Sequence, residues 1–267
     1  MKVRFPIVFL AAAVFAAALA PAAIAADLTD VGYVDQAELA NMPVFISANR
    51  ELYAFKAGLD AQYANAMRAA KSDADKQRVS MQFQQEYSDK QRETIGPLFQ
   101  RAQLAIAQVA ATRNLSVVVD KRIVIYGGQD ITKDVQTLFN GNASIPPPAA
   151  SPPPSEIGFV DQGALDNIPK VKSANDQMNQ FAQTQRTLYA PQIAAAKTNA
   201  DKQQIYQQFN KSMQDKQNQL LKPLVDQTKA ATAAVAKSKN LLLVVDRADV
   251  IYGGTDITTD VQNALSK

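Results

Sequence analysis

A stretch of 109 residues that occurs twice without a gap constrains this 267-residue chain more than any other feature. Residues 31–139 align with residues 157–265 at a constant offset of 126, with about 47 identities. Val31-Gly32-Tyr33-Val34-Asp35-Gln36 returns as Ile157-Gly158-Phe159-Val160-Asp161-Gln162. Ile125-Tyr126-Gly127-Gly128 returns as Ile251-Tyr252-Gly253-Gly254, and Pro43 and Pro97 return as Pro169 and Pro223. Between the copies, six prolines in residues 146–154 favour polyproline II and forbid helix. The organisation expected is a first module at 27–139, a proline-rich spacer at 140–155 and a second module at 156–267.

One module reads as strand, long helical hairpin and further strand. Val31–Val34 is short and apolar, as a buried strand is. From Val44 to Asn114 the good helix formers Ala, Gln, Lys, Arg and Glu dominate, and the only breakers are Gly58, Gly96 and Pro97. Phe45, Ala48, Leu52, Phe55 and Leu59 step by three or four, the thin stripe of a coiled coil. The pattern pauses at Ser72–Asp73 and at Thr198–Asn199, where short polar residues suit helix caps, so a hairpin tip is expected there. The return arm carries Val79, Phe83, Tyr87, Ile95 and Leu98, with Pro97 and Pro223 expected to kink or hinge it. About 28 residues at 1.5 Å each make an arm of about 42 Å, too long to lie on a small head. Val117–Val119 and Val124–Tyr126, split by Asp120-Lys121-Arg122, read as paired strands. Thr132 is expected to cap a final short helix. The fold class is therefore α+β and helix-dominated, two tandem modules, each a small β head with a long projecting helical-hairpin (coiled-coil) arm.

Composition removes several chemistries. The chain has no Cys, His or Trp. A thiol nucleophile, a Ser-His-Asp triad and the usual nitrogen and sulfur zinc sites are excluded, as are disulfides. No metal and no cofactor are expected. Asp35, Asp120, Asp161 and Asp246 recur at strand ends, and turn formation accounts for them better than acid–base chemistry. Gly127-Gly128 lacks the rest of a phosphate-binding motif, so the chain is expected not to be an enzyme.

The N-terminus has the form of an export signal. Lys2 and Arg4 precede an uncharged run from Phe5 to Ala20, and Ala23-Ile24-Ala25 offers small residues for cleavage after Ala25. Residues 1–25 are expected to be a cleaved signal peptide, and the mature protein to work outside the cytoplasm.

Charge is segregated. Residues 44–114 carry +3 and residues 170–240 carry +7, whereas the chain from residue 27 onward carries only +1. The arms are basic and the remainder acidic, which steers acidic partners to the arms and leaves weak contact with an anionic membrane surface open. A solvated helix surface explains the charges but not their segregation. The aromatic stripe has two readings as well: Phe55, Phe83, Phe181 and Phe209 zip the arms together, or they are left available to a partner. Both can hold in one two-helix arm.

Gly32-Tyr33-Val34-Asp35, the Gln- and Lys-rich hairpin, Val118-Val119-Asp120 and Val124-Ile125-Tyr126-Gly127-Gly128 followed by Asp130-Ile131-Thr132 resemble, in order and spacing, the Skp/OmpH family of periplasmic chaperones. The second copy carries the pattern again. The resemblance implies an ATP-independent holdase whose arms hold unfolded outer-membrane proteins in the periplasm, and a homo-oligomer, a trimer in that family. The client-contacting candidates on the arms are Phe55, Tyr63, Lys71, Lys76, Phe83, Tyr87 and Lys90, then Phe181, Tyr189, Lys197, Lys202, Phe209, Met213 and Lys216. The oligomerisation candidates on the head strands are Val31, Tyr33, Val118, Val119 and Ile125, then Ile157, Phe159, Val244, Val245 and Ile251. This chain departs from the pattern in having two modules and a near-neutral mature charge. The alternative is a non-enzymatic coiled-coil structural or adaptor protein of the cell envelope. No nucleic-acid reader motif is recognisable.

Overall fold

A computed structural model of the protein describes residues 28–266. The expected signal peptide falls outside the described residues. The elements run β1 (Val31–Val34), α1 (Gln36–Ala40), α2 (Pro43–Ala69), α3 (Asp73–Thr112), β2 (Val117–Asp120), β3 (Gln129–Asp130) and α4 (Thr132–Asn140). The second repeat supplies β4 (Ile157–Val160), α5 (Gln162–Asp166), α6 (Pro169–Ala195), α7 (Asn199–Leu220), α8 (Lys222–Ser238), β5 (Leu243–Asp246), β6 (Val250–Gly253), β7 (Thr255–Asp256) and α9 (Thr258–Leu265). The chain divides into two compact units, one running to Pro154 and including Asp249–Gly253, the other comprising Ser155–Ala248 and the residues from Gly254 onward.

In the first unit, β1 pairs in parallel with both β2 and β3, and β6 adds antiparallel to the outer edge of β2. A parallel pair needs a long crossover, and the entire α2–α3 segment provides it. Every residue of β2 is buried. Val34, Leu39, Phe45, Ile106, Leu115, Val118, Ile131, Val135 and Phe139 form one core between the sheet and the bases of α3 and α4. Gly32 is required by this packing, since a methyl group there would stand 2.5 Å from Leu115 Cδ1. In the second unit Gly158 meets Leu241 Cδ1 at the same 2.5 Å, so the repeat preserves the close approach. That unit's sheet has the order β5-β4-β7; Leu165, Ile257 and Val261 form a small buried cluster, with Val160, Leu241 and Val244 partly buried around it, and Ile157 and Phe159 are buried on β4.

The strand ends are tied by the same device in both copies. Asp35 caps α1 by accepting from Glu38 N at 3.0 Å, while its own N–H donates to Thr132 Oγ1 at 3.0 Å. Asp161 accepts from Ala164 N at 2.9 Å and donates to Thr258 Oγ1 at 2.9 Å. The expectation that Thr132 caps the last helix is corrected by this geometry. The cap residue is Ile131, the Thr132 N–H donates to Asp130 Oδ1 at 2.9 Å, and the hydroxyl is spent accepting from the Asp35 N–H just past β1.

Two further expectations differ from the structure. Val124–Tyr126 does not form a strand beside β2; Ile125 is 100% and Tyr126 94% exposed. Its second-repeat counterpart does form a strand, β6, but on β2 rather than on β5. The prolines also behave differently from one another. Helix α3 runs through Pro97 without interruption, whereas Pro223 opens α8 just after a break at Leu221. Proline is well tolerated in a first helical turn, where its missing N–H is not needed. Past the repeat, the chain stays anchored: the Arg101 guanidinium donates to the carbonyls of Phe139, Gly141 and Ala143, and Ile145 is buried in the first core.

Two outcomes follow. At Gly253, φ is +67° and a Cβ would lie 2.1 Å from the Ser116 carbonyl oxygen. Gly253→Ala is expected to cost the first unit ~1–3 kcal/mol by prising β6 from β2; a urea midpoint equal to that of the parent would show that β6 is not held there. Asp35 is held below the ordinary carboxylate range, first by the Glu38 N–H and next by Lys121, 3.1 Å away. Its contribution is therefore present above about pH 4, the unfolded carboxylate's range, and is lost as pH falls through the lowered value. Asp35→Asn should keep the cap and flatten the loss of stability on acidification, measured by thermal denaturation from neutral to acid pH.

Candidate functional site

The long helices pair antiparallel into hairpins whose tips lie where capping residues stand in the sequence. Ser72 caps α3, its hydroxyl accepting from Asp75 N at 3.1 Å. Thr198 caps α7 in a full capping box with Asp201. At the base of the first hairpin, Phe45 stacks on Phe139 at 5.7 Å and tilts against Phe99 at 5.8 Å. Next come Ala48, Leu52 and Ile95, which are buried together. Beside them Lys90 Nζ lies 2.7 Å from Glu51 Oε1, and farther along α2 Leu59 is buried. Farther out, Tyr63 meets Phe83 edge-on at 5.4 Å. The second hairpin is more weakly apolar: Ala174 is the single buried residue of α6, and α7 and α8 bury none. Tyr189 and Phe209 nevertheless meet edge-on at 5.7 Å, repeating the Tyr63–Phe83 pair.

These contacts place the sequence candidates. Tyr63, Phe83, Tyr189 and Phe209 face one another across the hairpins, so they serve first to zip the helices. Phe55, Tyr87 and Met213 are half-buried. Phe181 is half-buried beneath Lys216, whose ammonium lies 5.8 Å from the ring centroid. Lys71, Lys76, Lys197 and Lys202 are exposed and flank the two tips, with Lys76 lying 3.2 Å from Asp73. Lys90 is different. Its side chain is only 24% exposed, and the Glu51 hydrogen bond, with Glu93 close by, raises its pKa, so its charge is neutralised within the hairpin. Side chains that the stripe did not select, together with Leu188 from the stripe itself, carry the exposed apolar surface. Tyr53 is 74%, Phe99 59% and Met81 56% exposed on the first hairpin, and Leu188 and Tyr206 are exposed on the second. All but Leu188 lie off the three-and-four spacing, which was their one signal in the sequence.

Of the head-strand candidates, Val31, Val118, Val119, Ile157 and Phe159 are buried. Tyr33, Val244, Val245 and Ile251 are half-buried, and Ile125 is fully exposed. The four strand-end carboxylates each accept a backbone N–H two or three residues ahead: Asp35 from Glu38, Asp120 from Arg122, Asp161 from Ala164 and Asp246 from Ala248. Asp120, almost fully buried, also pairs with Arg122 Nε at 3.0 Å. These carboxylates build turns and caps. Among the described residues no helix is long and apolar enough to cross a membrane.

The elements define a helix-dominated module, present twice, in which a small strand-bearing head carries a basic two-helix hairpin. The family model for outer membrane proteins of the OmpH-like kind matches residues 60–138 and again residues 189–265, and the chain belongs to that family. No curated protein and no solved structure matches the chain.

The zip and the cations separate by substitution. Phe83→Ala is expected to cost about 1–2 kcal/mol, a value below that of a buried Phe because the ring is half-exposed. Replacing Lys71 and Lys197 with Gln should each change stability by less than about 0.5 kcal/mol. Urea denaturation read by circular dichroism distinguishes the two classes.

Proposed function

We propose that the protein is an ATP-independent holdase chaperone that binds unfolded outer-membrane proteins in the periplasm, between and along projecting basic helical arms. Membership of the OmpH-like family supports a periplasmic chaperone role. The observation that carries the finer reading is the surface of the hairpins, where Tyr53, Met81, Phe99, Leu188 and Tyr206 stand exposed on helices with excess Lys and Arg. An unfolded chain offers apolar segments and, when acidic, negative charge. Scattered apolar side chains contact the former without selecting one sequence, and the cations steer and retain the latter. No nucleotide is needed, because holding depends on binding alone. Residues 1–25 would direct export, and a homo-oligomer would set several arms around one client.

The test is suppression of aggregation when a urea-denatured outer-membrane β-barrel protein is diluted into buffer. Several-fold molar excess should keep the client soluble, and charge reversal at Lys71, Lys76, Lys197 and Lys202 together should raise the excess required several-fold, most clearly at low salt. Precipitation of the client at every ratio would refute the reading. Recovery of a single folded envelope partner, with no unfolded client, would favour an adaptor role instead.

A further inference from the structure

The repeat sets the two hairpins position against position, and it keeps the lysines while losing their partners. Lys71, Lys76 and Lys90 return as Lys197, Lys202 and Lys216. Five of the seven carboxylates in residues 44–114 do not return: Glu51, Asp60, Asp73, Glu86 and Glu93 give way to Gln177, Arg186, Asn199, Ser212 and Gln219. The loss falls on groups that neutralise cations in the first hairpin. Lys90 Nζ lies 2.7 Å from Glu51 and 3.6 Å from Glu93, and Lys76 Nζ lies 3.2 Å from Asp73. All three of these carboxylates are amides in the second copy.

The lysines there have different surroundings. Lys202 is exposed and, among the described residues, pairs with no carboxylate. Lys216 donates to Gln219 Oε1 at 3.2 Å and lies 5.8 Å from the Phe181 ring centroid, contacts that leave its charge in place. Arg186, where the first copy has Asp60, is exposed. Phe181, Ser212, Lys216 and Gln219 line a shallow groove where α6 meets α7. The ring suits an apolar side chain, while the ammonium and the amide donate to a carboxylate. With +7 against the +3 of the first hairpin, the second also exerts the stronger pull on an acidic chain at a distance.

We propose that the two hairpins divide the work: the second recruits acidic segments of an unfolded polypeptide through Lys202 and Lys216, whereas the first engages its equivalent lysines in holding itself together. Charge complementarity assigns the partner. A polypeptide presents a carboxylate and an apolar side chain side by side, as the groove at Lys216 and Phe181 requires. The biological use of this division rests on the holdase reading, but the binding itself is measured without it.

The test is fluorescence anisotropy on the full mature chain with a fluorescein-labelled peptide of Glu and Leu, its Gln and Leu counterpart serving as the uncharged probe. At about 0.1 M salt, charges more than about 10 Å apart are screened, so the probe reports local cations. Matched pairs at equivalent positions remove the same charge. Lys202→Gln with Lys216→Gln should weaken binding several-fold and flatten its salt dependence, whereas Lys76→Gln with Lys90→Gln should change it by less than about twofold. The reverse exchange gives a second readout. Glu51→Gln, Asp73→Asn and Glu93→Gln together place the second copy's residues in the first hairpin, and should tighten peptide binding several-fold with an unchanged circular dichroism spectrum. Equal losses from the two matched pairs, no gain from the exchange, or equal binding of the uncharged peptide overturns the proposal. So does binding of phosphatidylglycerol vesicles in place of the peptide. A chain that ranks its variants as expected yet leaves a denatured client to precipitate refutes the holdase reading and leaves the division between hairpins standing. A chain that holds the client while its matched variants rank equally does the reverse.

Discussion

A four-residue strand has too few residues to be stable alone, and β2 is buried along its whole length. It holds because both edges are satisfied, β1 in parallel on one side and β6 antiparallel on the other. The β1–β2 pair also closes the loop formed by α2 and α3, so the base of the first hairpin is fixed by main-chain bonds. Onto that frame pack Leu115, Ile131 and Val135, all fully buried. The frame depends on small residues at close approaches, Gly32 against the Leu115 side chain and Gly253 against the Ser116 carbonyl.

The two repeats form an internal control for this dependence. Val-Val-Asp is fully buried in β2 and only half-buried in β5, although the parallel partner and its register are the same in both sheets. The difference that accompanies the change in burial is the antiparallel strand on the outer edge. The same holds for Ile-Tyr, which packs against a core in β6 as Ile251–Tyr252 and is exposed as Ile125–Tyr126. Identical local sequence therefore has two fates, and the partner determines which one occurs. β propensity measures fit to neighbours more than any intrinsic preference of the backbone.

This explains what could be read from the sequence. The helices, the tips at Ser72 and Thr198 and the strand at Val31–Val34 come from local signals, namely capping chemistry, periodicity and composition. The repeat carried each reading over to the second copy. What escaped was non-local. Pairing of β1 with β2 in parallel, and donation of β6 across the repeats, are choices among edges that no periodicity encodes. The same limit applied on the hairpins. The three-and-four stripe located zipping side chains such as Leu52 and Phe83, but Tyr63, which zips, and Tyr53, which is exposed, both lie off it. Lys90 looked like any other arm cation in one dimension. Only the fold brings Glu51 beside it.

The hairpins differ from the heads in kind. A head is a small core where deleting a methyl group or adding one is felt. A hairpin beyond its base is held by an aromatic pair and polar contacts, with Leu59 buried in the first, and its ion pairs Lys56–Asp60 and Lys211–Asp215 lie within single helices. Exposed pairs of this kind contribute little each. The outer helices therefore lie at the low-stability end of the molecule, where local opening is cheap. The holdase function proposed above calls for that property: a rigid, well-packed groove selects one shape, whereas weakly zipped helices can part or rotate. Burying the first head's β2 edge beneath a strand supplied by the other repeat separates the firm part of the chain from the compliant part.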